Sequence, residues 1–271
     1  MSGAPRGLAA PQLLSFLWKR RQMLVASIRH EFSDRYSGSL LGLFWVVLFP
    51  LVFLSIYVAV YTLVFRVRLE DGTPMDYVHY VFCGLVPYFA MLEAANQSAS
   101  SIRSNSAAIR GSLLPVELIP ARVAGVAMVS GLVGLVLIAV MTVLQGRLSL
   151  NLLLLPAVLL LHASLFLGLS CVLSVVGALI RDVSYVVSLT GLMLLFLSPI
   201  AYTGDMLPPA LWFLRDLNPV FYVIEAYRMA LHYQMAPDWP RFAVFVLICL
   251  GTLFVGAAIL RRYKGIATDN A

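Results

Sequence analysis

Long stretches without a single charge decide what this chain can become. Residues 40–65, 123–145, 148–180, 183–204 and 242–260 carry no Asp, Glu, Lys or Arg, and 78–98 carries only Glu93. About 20 apolar residues in a helix cross the roughly 30 Å of hydrocarbon in a bilayer. Each run reaches that length, so the sequence predicts six spans. Within 148–180, Pro156 and the residues before it read as a turn leading into the span. Only 12% of the 271 residues are charged, about half the share of a soluble domain. A large soluble core is therefore excluded. The expected fold is all-α and polytopic.

Six spans place both termini on one side, so the positive-inside rule can be applied. Thirteen of the 19 Lys and Arg residues then fall on the termini side. Both termini are expected to be cytoplasmic. The first forty residues are polar and basic and do not read as a cleavable signal peptide. Across 11–34, Leu13, Leu17, Leu24 and Ile28 share one helical face, and Lys19, Arg20, Arg21 and Arg29 supply charge elsewhere. This predicts a basic amphipathic helix on the inner membrane surface, either a lipid anchor or a docking element for a cytoplasmic partner. The domain plan is an interface helix at 1–38, a six-span domain at 39–265 and a tail at 266–271.

Several chemistries are missing. Lys19 follows Trp18 and Lys264 follows Tyr263, so no Gly-Lys-Ser/Thr phosphate loop exists. His30-Glu31 begins like a zinc-protease motif, but Asp34 stands where the second His is needed. Cys83, Cys171 and Cys249 are scattered through apolar runs and read as small bundle residues. The sequence gives no reason to expect a catalytic centre, a metal or nucleic-acid binding.

Polar residues inside the spans are few. Glu93, Asn96, Gln97, Ser100 and Ser101 share one helical face. A carboxylate at membrane depth faces a bundle interior, a wet cavity or interfacial water, so this face either borders a path or is simply solvated. An aromatic ladder, Trp45, Phe49, Phe53, Tyr57 and Tyr61, follows the basic collar. Its rungs rise about 6 Å each but drift about 40° per step around an ideal helix. Not all five can border one channel; lipid-facing and packing roles compete. Two connections are richer than plain linkers. SASSIRSNSAAIRGSLLPVELIPAR (98–122) carries arginines, Ser/Asn and two bracketing prolines. Residues 205–241 contain two short helical segments broken by Pro208, Pro209 and Pro219, with Asn218 as an N-cap and Glu225 and Arg228 spaced to pair. They fit short helices dipping into the outer leaflet, as a gate or as a surface cap.

These motifs resemble, in order and over about residues 10–265, the membrane subunit of bacterial ABC-2 polysaccharide exporters. RYSGSLLGLFWVVLFP, with Arg35, Tyr36, Ser39, Gly42, Trp45 and Pro50, is similar to that family's approach to its first span. FCGLVPYF (82–89) resembles its second-span motif. Asn105 with PVELIP (115–120) resembles its first coupling loop, and LIRDV (179–183) its junction before the fifth span. LSPIAY (197–202), LPP (207–209) and LNPVFYVIEAYRMAL (217–231) resemble its fifth-span end and outer re-entrant helices. The family commonly has a lysine four residues before the first proline of PVELIP; here that position is Gly111, with Arg110 beside it.

The resemblance implies a half-transporter in the bacterial inner membrane. It implies two copies of this chain, two copies of a separate ABC ATPase that holds ATP and Mg, and a lipid-linked polysaccharide as cargo. The candidate substrate path is Phe49, Phe53, Tyr57, Tyr61, Glu93 and Asn96. Coupling to the ATPase would use Arg103, Asn105, Arg110, Pro115 and Glu117. Arg35, Tyr36, Gly42 and Trp45 would form the approach to the first span, and Pro208, Asn218, Pro219, Glu225 and Arg228 the outer gate. An exporter of a small amphipathic compound and a membrane component of glycan synthesis stand as alternatives.

Overall fold

The structure, a computed structural model, describes residues 9–38, 41–60, 63, 73–111, 114–202, 208, 210 and 212–269. The described residues contain helices and no strand. In chain order these are α1 (Ala9–Lys19), α2 (Arg21–Tyr36), α3 (Trp45–Ala59), α4 (Pro74–Ser104), α5 (Ser106–Arg110) and α6 (Leu118–Leu144). They continue with α7 (Leu155–Leu179), α8 (Val183–Leu197), α9 (Trp212–Asp216), α10 (Pro219–Leu231) and α11 (Trp239–Asp269). Among the described residues, four segments are long and apolar enough to cross a bilayer: Pro74–Ser104, Leu118–Leu144, Leu150–Leu179 and Trp239–Ile266. The chain is a multi-pass membrane protein. The fifth predicted run yields α8, whose 15 residues cover only about 22 Å. The first yields α3, also of 15 residues, preceded by the 3-10 turn Gly42–Phe44; residues 40, 61, 62, 64 and 65 of that run lie outside the described residues.

The helix boundaries follow from local chemistry. Thr73 and Asp76 form a capping box: Asp76 N donates to Thr73 Oγ1 at 3.3 Å and Thr73 N to Asp76 Oδ2 at 2.8 Å, with Pro74 opening α4. Asn218 caps α10 by accepting from Val220 N at 3.0 Å, with Pro219 next. The turn before Pro156 is the 3-10 segment Leu150–Leu154. α6 ends at Gly146, whose φ of 65° is the left-handed conformation that glycine adopts without strain.

The predicted amphipathic helix is two helices, divided at Arg20. Only α1 has a well-buried apolar face. Ala10, Leu13 and Leu17 pack into a core with Leu118, Ile119, Leu253, Ala257 and Leu260. That face is covered by the bundle's own base, while Leu14 and Trp18 stay exposed. α2 lies along α6, where Ile28 sits so close to Gly125 that a Cβ there would collide with it.

α4 is the central helix and packs on α6, α7, α8 and α10. α7 and α11 meet closely enough that a Cβ on Gly168 would fall 2.5 Å from the Thr252 carbonyl oxygen. Gly177 meets the backbone of Ala99 in the same way, on the α7–α4 seam. Both described chain ends lie together: Arg261 Nη1 donates to Gln12 Oε1 at 3.3 Å, and Lys264 Nζ pairs with Glu117 Oε1 at 2.5 Å. This is the termini end of the bundle. The starts of α4 and α11, with α10, form the far end.

Candidate substrate cavity and its polar floor

A cavity of about 560 Å³ opens between the end of α2, α3, α4 and α6. Its wall includes Arg35, Trp45, Phe89, Glu93, Asn96 and Ser130. Residues predicted separately, for the span approach and for the path, thus meet in one place. The Arg35 guanidinium pairs with the Glu93 carboxylate. Glu93 Oε1 also accepts from Gln97 Nε2 at 3.0 Å and Ser130 Oγ at 3.3 Å. A carboxylate inside the bundle is thereby matched by one cation and two neutral donors, the condition for tolerating it there. Asn96 Oδ1 accepts from Ser188 Oγ at 2.8 Å, tying α8 to α4 beside the cavity.

Toward the termini end a second, polar pocket of about 280 Å³ shares Arg35 with the first. Glu31, Gln97, Ser100, Ser104, Asn105 and Arg122 surround it. Arg122 lies 3.5 Å from Glu31 and donates to Asn105 Oδ1 at 3.0 Å; its buried Nε has no partner among the described residues. A floor of paired charges, Arg35 with Glu93 and Arg122 with Glu31, thus underlies a largely apolar chamber.

The predicted polar face of α4 borders both cavities: Glu93 and Asn96 the first, Gln97, Ser100 and Ser101 the second. Eight residues rotate a helix about 80° past two full turns, which puts Ser101 at the edge of that face, where it also meets Ser174 Oγ at 2.7 Å in the α4–α7 seam. Of the aromatic ladder, Trp45 borders the cavity and is 42% exposed. Phe53 packs edge-on against Phe89 with ring centroids 4.7 Å apart. Phe49 and Tyr57 lie in α3 and Tyr36 in α2, but their side chains are outside the description; Tyr61 is wholly outside it. Gly42 opens the 3-10 turn before α3 with φ 49°.

The predicted coupling residues gather at the termini end. Asn105 ends α4, and its Nδ2 donates to the Ser101 carbonyl at 2.8 Å. Arg103 reaches the Arg181 carbonyl at 3.4 Å, joining this loop to the α7–α8 junction. Arg110 is exposed at the end of α5, Pro115 precedes the turn into α6, and Glu117 holds Lys264.

At the far end, Glu225 and Arg228 do pair, at 3.2 Å, and both are buried. Arg228 also donates to the Ile200 carbonyl at 2.9 Å and lies 3.5 Å from the Tyr80 ring centre. Asn218 Nδ2 donates to Ser198 Oγ at 2.8 Å, joining the start of α10 to the end of α8. Pro208 is exposed, between residues outside the description.

Sequence reasoning missed a hydrogen-bonded chain here. Thr142 Oγ1 donates to the Ile138 carbonyl at 2.9 Å, so it accepts from His79 Nε2 at 2.8 Å; His79 Nδ1 must then accept from His232 Nδ1 at 2.9 Å. Burial, with nearby His79, Arg147 and Arg228, pushes His232 down to about 3. Arg147 pairs with Asp76 at 2.6 Å beside it. Single histidines in apolar runs carry no pattern that would reveal this chain.

The comparisons agree with the anatomy. Residues 22–232 match the family model described as ABC-2 type transporter. The chain is 22% identical over 256 residues to the O-antigen export system permease protein RfbA of Myxococcus xanthus, covering 93% of this chain and 96% of that one. It is 26% identical to the protein of the same name from Klebsiella pneumoniae, covering 89% and 92%. It is 23% identical to the polysialic acid transport protein KpsM of Escherichia coli, covering 85% and 89%. The chain belongs to the ABC-2 type transporter family.

Proposed function

We propose that this chain is the membrane subunit of an ATP-driven exporter that carries a lipid-linked surface polysaccharide across the bacterial inner membrane. The observation that carries the reading is the near end-to-end match to relatives named for O-antigen export and polysialic acid transport. Two copies of the chain would enclose the path. Two copies of a separate ABC ATPase would sit below the termini end, which is then cytoplasmic. The lack of any Gly-Lys-Ser/Thr loop supports placing ATP and Mg on that partner.

In this reading α3 and α8 complete six spans, and α9 and α10 are the outer re-entrant helices. The geometry of α10 supports that. Pro219 and Val220 share a groove with Ile248 and Thr252; Ile248 is about 14 Å along α11 from its start at Trp239. The helix climbs from there to His232, beside Arg147 at the far end.

The cavity supplies a mechanism. The floor arginines Arg35 and Arg122 would receive the phosphates that link glycan to lipid, and the apolar chamber would receive part of the tail. ATP-driven closure of the partner would act on Asn105, α5 and the Glu117–Lys264 contact and tilt α4. A ligand shifts such an equilibrium only through unequal contacts in two states, and this loop is where they would form.

The test is deletion of the chain in its native bacterium, followed by location of the surface glycan and its lipid-linked precursor. Loss from the surface with accumulation inside, restored by the intact gene, is expected. Unchanged surface glycan would refute polysaccharide export, and loss without internal polymer would point to synthesis.

A further inference from the structure

A third cavity, at the far end, is not used by the mechanism above. It measures about 600 Å³ and is enclosed by α10, the segment after α8 and the residues leading into α11. Three guanidinium groups, from Arg215, Arg228 and Arg241, stand in its wall with two carboxylates, Glu225 and Asp238, and Arg215 is also paired with Asp216 at 2.8 Å. Arg228 is wholly buried and fixed by Glu225, the Ile200 carbonyl and the Tyr80 ring. Its Nε is buried without a partner among the described residues.

The other two arginines sit nearer the opening. Arg215 and Arg241 each lie 5.6 Å from the centre of the Phe221 ring. Their charged groups therefore stand no more than about 11 Å apart, a span that one acidic sugar unit can bridge. Arg241 spends Nε on Asp238 at 3.1 Å, and Nη1 lies 3.8 Å from Glu225. A guanidinium has five N–H donors in a fixed fork, so it can take a further oxyanion without losing these partners. The ring faces beneath the cations are already occupied, which argues against sugar stacking and for recognition of charge.

We propose that this far-end pocket binds an oxyanion, a carboxylate or phosphate, carried by the glycan as it leaves the transporter. The source of the ligand rests on the polysaccharide reading; the site itself does not. An outer-leaflet phospholipid headgroup presents the same chemistry and is the competing source.

The test uses the purified full-length chain, with its ATPase partner, in phosphatidylcholine nanodiscs. Titration calorimetry compares a galacturonate hexasaccharide with neutral maltohexaose. The acidic probe should bind at least tenfold more tightly, and more weakly as salt rises. Arg241→Gln and Arg215→Gln should each weaken it at least fivefold. Both leave Arg228–Glu225 intact: Arg215→Gln unpairs the half-exposed Asp216, and Arg241→Gln unpairs Asp238 and removes a 3.8 Å contact to buried Glu225, which keeps Arg228 and Tyr233; an unchanged elution profile checks their folding. Equal binding of the two probes, no binding of either, or full affinity in both variants would overturn the proposal. Loss of oligosaccharide binding in phosphatidylglycerol nanodiscs, restored by neither variant, would assign the site to lipid and overturn the glycan source. If instead deletion leaves surface glycan unchanged while the acidic probe still binds, export of that glycan fails and the oxyanion site stands.

Discussion

The Arg228–Glu225 pair offers the most decisive perturbation. Arg228 is fully buried and Glu225 is 5% exposed. Removing one member of a buried pair strands the other and costs about 3–5 kcal/mol, whereas removing both often costs little. Arg228 has only one carboxylate partner, with a carbonyl and a ring face as its other contacts. Glu225→Gln keeps shape and one acceptor, so its cost should lie near the lower end, about 3 kcal/mol. Arg228→Met should cost about 3–5 kcal/mol. With an unfolding entropy of about 2.1 cal/mol/K per residue, these correspond to apparent Tm drops of about 5 °C and 5–9 °C. The double variant should fall no further than the worse single, a coupling of at least about 3 kcal/mol. The assay is thermal unfolding in one detergent at one scan rate, because such transitions are usually irreversible. Additive losses would refute the reasoning, showing that the two side chains stabilise the far end separately.

Glu117→Arg should set two cations against each other at Lys264 and reduce co-purification of the ATPase; undiminished recovery would remove this contact from coupling. Gly177→Val should abolish folded yield, because its Cβ meets the Ala99 backbone, while Gly265→Ala, with open space around it, should not; equal yields would contradict the packing. Phe53→Ala with Tyr57→Ala should lower export flux while leaving assembly intact, and wild-type flux would take the ladder out of the mechanism. His232 is held neutral in the fold well below the ordinary histidine value of about 6.5. Its contribution is therefore complete above that value and lost as pH falls toward 3. Thermal stability should drop between pH 7.5 and 5, and less steeply in His232→Gln; identical slopes would show that the histidine chain is not what titrates.

Charge-free length alone revealed the four long spanning helices, because burying an unpaired charge in hydrocarbon is prohibitive and leaves a clear mark. Caps and breaks at Thr73, Asn218 and Pro219 were similarly local and readable. What escaped depended on distant partners. Nothing near Arg35 says that it meets Glu93, 58 residues away, and Ser130 stands alone in an apolar run. The polar face of α4 was legible as one stripe, but not that Ser101, at its edge, also meets Ser174, 73 residues away. The division at Arg20 was missed because the apolar spacing of 11–34 continues across it, while the burial does not.

The span of α4 has a mechanical corollary. Its 31 residues make a rod about 46 Å long, held at one end through Asn105 and Arg103 and at the other by Tyr77, whose hydroxyl donates to the Ala201 carbonyl at 2.9 Å. Pivoting such a rod by about 5° about its base sweeps the tip by about 4 Å, more than a hydrogen bond can stretch. Segment 199–202 must therefore travel with the rod or let go of it. Either way, a push too small to see at the base becomes a change of partners at the far end.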